Sequence, residues 1–278
     1  MSTDRQQTDA WDQHWRKYAE TNALNPAQVL RRQLVFSALD LAHEPGPVRL
    51  LDLGSGTGEF AAEVLVARPD AEVVGLDLAH SGVEIAQKKV PKARFIQQDF
   101  SQPMAIGDDL LGWATHAVCS EVLEHLDDPG AMLRSVRPYL AKGCKLVITV
   151  PAGPMSAFDK HIGHRRHFDR GMMEGLLQGV GFRDVDVQGA GFPFFNLYRL
   201  AVVARGEALV RDAAGEELNL PPQARAAIRM FSVLFKLNQR GGQRGWQLIG
   251  TGREPLAGRP VGSPRGSLGA SPPDPLIA

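Results

Sequence analysis

Val48-Arg49-Leu50-Leu51-Asp52-Leu53-Gly54-Ser55-Gly56-Thr57-Gly58-Glu59-Phe60 joins an apolar run to an acid and then to three glycines at alternate positions. Glycine lacks a Cβ and tolerates positive φ, so such a segment can turn tightly at the carboxyl end of a strand and bring backbone against a small ligand. The spacing G-x-G-x-G differs from the dinucleotide fingerprint G-x-G-x-x-G, and no lysine follows as in phosphate loops. Asp52, Gly54, Ser55, Gly56 and Gly58 are the first candidates for ligand contact.

Three further apolar runs end in polar groups in the same order. Glu72-Val73-Val74-Gly75-Leu76 leads into Asp77, at the separation where a doubly wound fold sets an acid on ribose hydroxyls. Ala93-Arg94-Phe95-Ile96-Gln97 leads into Gln98-Asp99-Phe100, and Thr115 to Ser120 leads into Glu121-Val122-Leu123-Glu124-His125-Leu126. With these motifs the chain resembles the class I S-adenosylmethionine-dependent methyltransferases, whose first motif reads acid-x-Gly-x-Gly-x-Gly after strand one. The resemblance implies S-adenosyl-L-methionine as cofactor and an α/β, Rossmann-like seven-stranded mostly parallel sheet with helices on both faces. It implies that Asp99 contacts the adenine amino group and that the backbone at Ser120 and Glu121 faces the methionine part. Leu78 and Phe100, beside Asp77 and Asp99, join the expected cofactor contacts, and His125 is a candidate proton acceptor because imidazole titrates near neutrality.

Strand and helix patterns alternate through the body, which predicts a parallel sheet. Helices are expected over 59–68, 81–89, 129–140 and 170–178, with strand five at Lys145–Pro151, strand six at Arg183–Gln188 and a seventh, antiparallel strand at Gly245–Thr251. More than fifty residues separate the last two strands, including Ile228, Phe231, Leu234 and Phe235 at helical spacing. The expected organisation is therefore a helical lid segment at 1–46, a cofactor-binding core at 47–188, a helical cap insertion at 189–244, the last core strand at 245–252 and a disordered tail at 253–278. Within the lid segment, Trp11, His14, Trp15 and Tyr18 meet on one helix face. The tail is rich in Gly, Pro and Ser without an apolar period.

Just after strand five, Ser156 to Asp169 contains His161, His164, His167, Arg165 and Arg166. In the family that this chain resembles, acceptors bind there, and many small-molecule members carry an Asp…Gly-His-x-Arg-aromatic segment at this point. His164 and then His161 are the first candidates for a base, ahead of His125. The histidines recur by threes without a neighbouring pair of ligand acids, so no metal site is assigned.

The chain of 278 residues can bury a large core, and its 31 basic and 31 acidic residues cancel. No overall field recruits nucleic acid or an anionic membrane. Two cysteines are too few for a disulfide framework or for the cluster that radical use of the same cofactor requires. The polar amino-terminal residues and the lack of a long uncharged apolar run indicate neither a signal peptide nor a transmembrane helix, and a cytoplasmic protein is expected. The expected function is methyl transfer, O-methylation of a small hydroxylated metabolite with a histidine base. The alternatives are a non-catalytic or repurposed S-adenosylmethionine-binding protein and, disfavoured by the glycine spacing, a nicotinamide-dependent oxidoreductase. The expected partner is a small-molecule acceptor, and a homo-oligomer stays open.

Overall fold

Runs of Leu, Val and Ile bounded by glycine, proline or acids form seven strands: β1 Arg49–Leu53, β2 Glu72–Asp77, β3 Arg94–Gln97, β4 Ala114–Ser120, β5 Leu140–Pro151, β6 Arg183–Ala190 and β7 Gln247–Arg253. The computed structural model describes residues 11, 12, 15, 25–214, 222–239 and 241–256. Spatial order is β3-β2-β1-β4-β5-β7-β6, with β7 antiparallel to both neighbours and the pairs from β3 to β5 parallel. This is the expected seven-stranded, mostly parallel sheet.

The helices are α1 Pro26–Leu39, α2 Glu59–Ala67, α3 His80–Lys89, α4 Pro129–Val136, α5 Ala157–His161, α6 Arg170–Val180, α7 Phe194–Ala214 and α8 Pro222–Leu234. Their ends carry the expected chemistry. Asn25 caps α1 by accepting from Ala27 N–H, and Asp169 caps α6 by accepting from Met172 N–H, with Gly181 at φ 105° ending that helix. Alternate residues of each strand feed opposite cores. Leu51, Leu53, Leu146 and Ile148 pack with Leu133 of α4 and Leu177 of α6, whereas Leu50, Val73 and Val147 pack with Leu34 of α1, Val64 of α2 and Ala86 of α3.

Three boundaries differ from the sequence reading. Residues 26–39 were expected within a lid, but Leu30, Leu34, Val35 and Leu39 bury one stripe of α1 against the sheet. Strand five begins at Leu140, because that residue pairs with Ala114 before an irregularity restores the register at Lys145. The last strand runs to Arg253, and Glu254 accepts from Arg137 at 2.9 and 2.6 Å, so these residues belong to the sheet and not to the tail. Residues 257–278, His14 and Tyr18 lie outside the described residues.

Two helices, α7 and α8, join β6 to β7. Phe195, Tyr198, Phe231 and Phe235 form one aromatic cluster between them, with ring centroids 5.4 to 6.2 Å apart. A buried ion pair fixes α7 to α5: Arg199 donates to both oxygens of Asp159, at 3.0 and 2.7 Å. Burial pushes the Asp159 carboxyl up, but Arg199 and Ser156 outweigh it and hold it down at about 2.

Removing one member of such a pair leaves a buried charge alone. Arg199→Met should therefore lower unfolding free energy by about 3–5 kcal/mol, and adding Asp159→Asn should recover much of the loss. Denaturant titration of the two proteins checks this; equal loss in both would show that packing, and not charge, fixes the joint.

Candidate active site

The chain leaves β1, β2 and β4 at one level. Leu53 pairs with Leu76 on one side and Cys119 on the other, and the N–H groups of Gly54 and Ser55 both donate to the Leu76 carbonyl, at 2.8 and 2.9 Å. Gly54, Gly56 and Gly58 have φ values of 83°, 54° and 80°. A Cβ on Gly54 would lie 2.3 Å from Val122 Cγ2, so this turn can pack against the loop after β4 only as glycine.

Asp77 closes the glycine loop. Its Oδ2 accepts from Gly56 N–H at 2.8 Å and its Oδ1 from Ala79 N–H at 3.0 Å. The Trp15 ring lies against Gly56 and Gly82, beside this carboxylate. Asp12 accepts from the backbone and hydroxyl of Ser81, both at 2.8 Å, so the described part of the amino-terminal segment crosses the loop. Burial raises the Asp77 pKa, and these donors work against that rise. Beneath the loop, Asp52 is pushed up to about 7 by burial and by the nearby charges of Asp77 and Glu59. The Oδ2 of Asp52 and the hydroxyl of Ser55 are buried without hydrogen-bond partners. Orphaned polar atoms beside backbone free of side chains suit a ligand bearing hydroxyls and an amino group, as S-adenosyl-L-methionine does.

The remaining expected contacts sit around the same crevice. Asp99 is half-buried and accepts from Ser101 N–H at 2.8 Å, Phe100 is buried in the first core, and the Leu78 carbonyl accepts from Gln97. Ser120 and Thr149 share a hydroxyl hydrogen bond of 2.8 Å. The side chain of Glu121 is committed elsewhere: at φ 57° it pairs with Arg31 at 3.0 Å and accepts from Gln247 and Thr149 at 2.8 and 3.1 Å. One carboxylate thereby ties α1, β5 and β7 to the end of β4.

Next to this crevice the loops after β4 and β5 bring three histidines together. The His125 and His164 rings meet edge to face with centroids 4.7 Å apart, and Trp11 packs on His125 at 5.3 Å. His167 follows at 5.5 Å from His164. Arg165 and Arg166 bind the loops to each other, donating to the His125, Leu126 and Asp127 carbonyls, and Arg165 also pairs with the Asp127 carboxylate. They are fasteners here. His161 is exposed at the end of α5 and does not join the described cluster.

The proton positions follow from one carbonyl. Gly153 C=O can only accept, so His167 Nδ1, 3.0 Å away, carries its proton. In the neutral ring His167 Nε2 is then an acceptor, and it takes the proton of His164 Nδ1 at 3.3 Å. His164 Nε2 is left with a free lone pair, 3.9 Å from Glu124 Oε1. Burial pushes His164 down to about 3, with the neighbouring His125 and His167 adding to the effect, and burial pushes His125 down to about 4. Glu124 is fully buried, neither oxygen has a hydrogen-bond partner, and burial followed by Glu121 raises its carboxyl well above the ordinary range. The sequence identified the histidines, and Asp159 stands in the Asp…Gly-His segment, but no local pattern links Glu124 or Gly153 to them, because these two arrive from the loops after β4 and β5.

Comparison with known proteins follows the same outline. A family model described as a methyltransferase domain matches residues 27–187. A demethylmenaquinone methyltransferase of Thermus thermophilus is 34% identical over 146 residues, 51% of this chain and 65% of that protein. A ubiquinone biosynthesis O-methyltransferase of Xanthomonas axonopodis pv. citri is 30% identical over 139 residues, 49% of this chain and 54% of that protein. The matched stretch thus spans roughly half to two-thirds of these relatives. Among solved structures, a phosphoethanolamine N-methyltransferase 2 of Haemonchus contortus in complex with S-adenosyl-L-methionine shares the fold at TM-score 0.54 and 14% identity, covering 88% of this chain and 60% of that one. A possible histamine N-methyltransferase of Thermotoga maritima does so at TM-score 0.56 and 14% identity, covering 89% and 99%. Glycine loop, strand-end acids, sheet order and family match together place the chain in the methyltransferase-domain family, among the class I S-adenosylmethionine-dependent methyltransferases.

Proposed function

We propose that this protein O-methylates a small hydroxylated molecule bound between the glycine-loop crevice and the histidine pocket, with His164 as the proton acceptor. The observation that carries the reading is the fixed tautomer of His164, whose Nε2 lone pair is held free by the relay from Gly153 through His167. Several of the similar proteins also carry O-methyltransferase in their names, most of them for ubiquinone biosynthesis and one as a malonyl-[acyl-carrier protein] O-methyltransferase.

The cofactor, when bound, supplies a methyl carbon on a positively charged sulfur that is already a good leaving group. Alignment by the protein then does most of the work, and favourable positioning is worth roughly 7–11 kcal/mol. In this reading Asp77 turns its remaining lone pairs to the ribose hydroxyls, Asp99 takes the adenine amino group, and backbone at Gly54, Gly56, Ser120 and Glu121 lines the methionine part. Trp11 and Trp15 cover the site from the amino-terminal side and help to exclude water, while α7 closes the acceptor side through Phe195 and Tyr198. A hydroxyl acceptor must lose its proton as it attacks. His164, neutral at physiological pH, accepts it, and the charged Asp159 at 4.0 Å, held ionised by Arg199, stabilises the imidazolium that forms.

Calorimetry should give micromolar binding of S-adenosyl-L-methionine and S-adenosylhomocysteine and none of NAD. Asp77→Ala should weaken cofactor binding by about 1.5–3 kcal/mol, the range for a charged hydrogen-bond acceptor. Unchanged affinity with a sharp fall in melting temperature would make Asp77 only the closure of the glycine loop.

With isotopically labelled cofactor and an extract of cell metabolites, mass spectrometry identifies the acceptor and makes the base testable. His164→Asn should lower kcat by about 10²-fold or more with cofactor affinity retained, whereas His161→Ala should keep wild-type turnover. Because burial holds His164 at about 3, protonation of the base should switch off turnover only as pH falls toward about 3. An acid limb centred near 6.5 would place the proton acceptor on a less buried group.

A further inference from the structure

Among the described residues around the histidine pocket, every buried or half-buried carboxylate but one has its own cation. Glu121 pairs with Arg31 and Asp159 with Arg199, while the exposed Asp127 pairs with Arg165. Glu124 is the exception: it is fully buried, and neither of its oxygens has a hydrogen-bond partner. A buried carboxylate left in this condition calls for a cation or a proton. Facing it are the rings of His125 and His164, and the ligand atoms of Glu124, His125 and His164 all lie within 4.8 Å of one another.

We propose that Glu124, His125 and His164 bind a divalent first-row transition ion of the zinc type. Two imidazole nitrogens and one carboxylate make the donor set of many catalytic zinc sites, which keep a further position open. Donors about 2.0–2.1 Å from such an ion stand roughly 3.3 Å apart, so the 3.9 Å between His164 Nε2 and Glu124 Oε1 closes by a small side-chain rotation. The support behind the ligands is already built. His164 gives its other ring proton to His167, which gives its own to Gly153 C=O, and such outer partners fix ring orientation at metal sites. Asp159, also near His164 and His167, is committed to Arg199 and Ser156 and therefore stands outside the coordination set. The scarcity of acids in the histidine segment, which argued against a metal, is removed by the fold, because the acid arrives from the loop after β4.

The inference deepens the acceptor reading of this pocket and rests on it for the ion's role alone. An ion held here, with a position open toward the pocket, would act as a Lewis acid on an acceptor hydroxyl; with the ion bound, His164 Nε2 is a ligand rather than the proton acceptor, and the acidified hydroxyl would lose its proton to solvent.

The test is equilibrium binding to the purified full chain, stripped with chelator and titrated with Zn²⁺ and with Co²⁺. The expected result is one equivalent of Zn²⁺ at micromolar or tighter affinity and visible absorption bands for the Co²⁺ protein. Glu124→Gln and His164→Gln should each weaken binding at least tenfold, while His161→Ala leaves it unchanged. Absence of stoichiometric binding to wild type, or undiminished binding in both ligand variants, overturns the proposal. Cofactor calorimetry on the same stripped protein separates this from the reading of function: normal S-adenosylhomocysteine binding without zinc binding removes the ion alone.

Discussion

The register of β1 between β2 and β4 governs the rest of the site. With Leu53 opposite both Leu76 and Cys119, the three chains leave the sheet together, and the next residues on each side become neighbours. The sheet order reverses at β1, so the loops after β1 and β4 diverge into a crevice at the carboxyl ends of the strands. A slip of one residue would exchange the faces of Leu50 and Leu51 and destroy both cores, which is why this register is held so firmly. The ligand site is thus positioned by hydrophobic burial several residues away from it.

Buried charge is the second organising principle. Each ion pair near the site joins elements distant in sequence: Arg31 of α1 to Glu121, and Arg199 of α7 to Asp159. Such pairs add little net stability relative to apolar packing, but each is costly to break, so they fix which helix covers which strand end. Glu121 holds a positive φ of 57° while its side chain meets three partners, a strained position retained at the rim of the site.

Much of this was legible in the chain. Glycine spacing and strand-end acids are local signals, so β1, β2, β4 and the crevice between them could be read from a few residues each. Boundaries were less legible where tertiary contacts decide them. Helix α1 carries the apolar stripe of a core helix, yet the aromatic residues before it suggested a lid continuing to residue 46. Leu140 joins β5 only because Ala114 is there to pair with it. In the histidine pocket the sequence supplied the right residue types but no partners, since Glu124, His164 and Gly153 come from three loops and no local pattern links them. His161 looked equivalent to its neighbours, three residues from His164, but a single turn of helix faces it to solvent.

Gly153 has φ 74°, and a Cβ placed on it would sit 2.7 Å from the Trp246 ring. The carbonyl that sets the histidine tautomers is therefore aimed by the packing of a tryptophan on the edge of β7, with no ionisable group involved. Substitution at Trp246 would let that carbonyl drift and could turn His167, and then His164, to the opposite tautomer. An inherited change in an apolar residue would then read, in a pH profile, as though the proton chemistry itself had been rewritten.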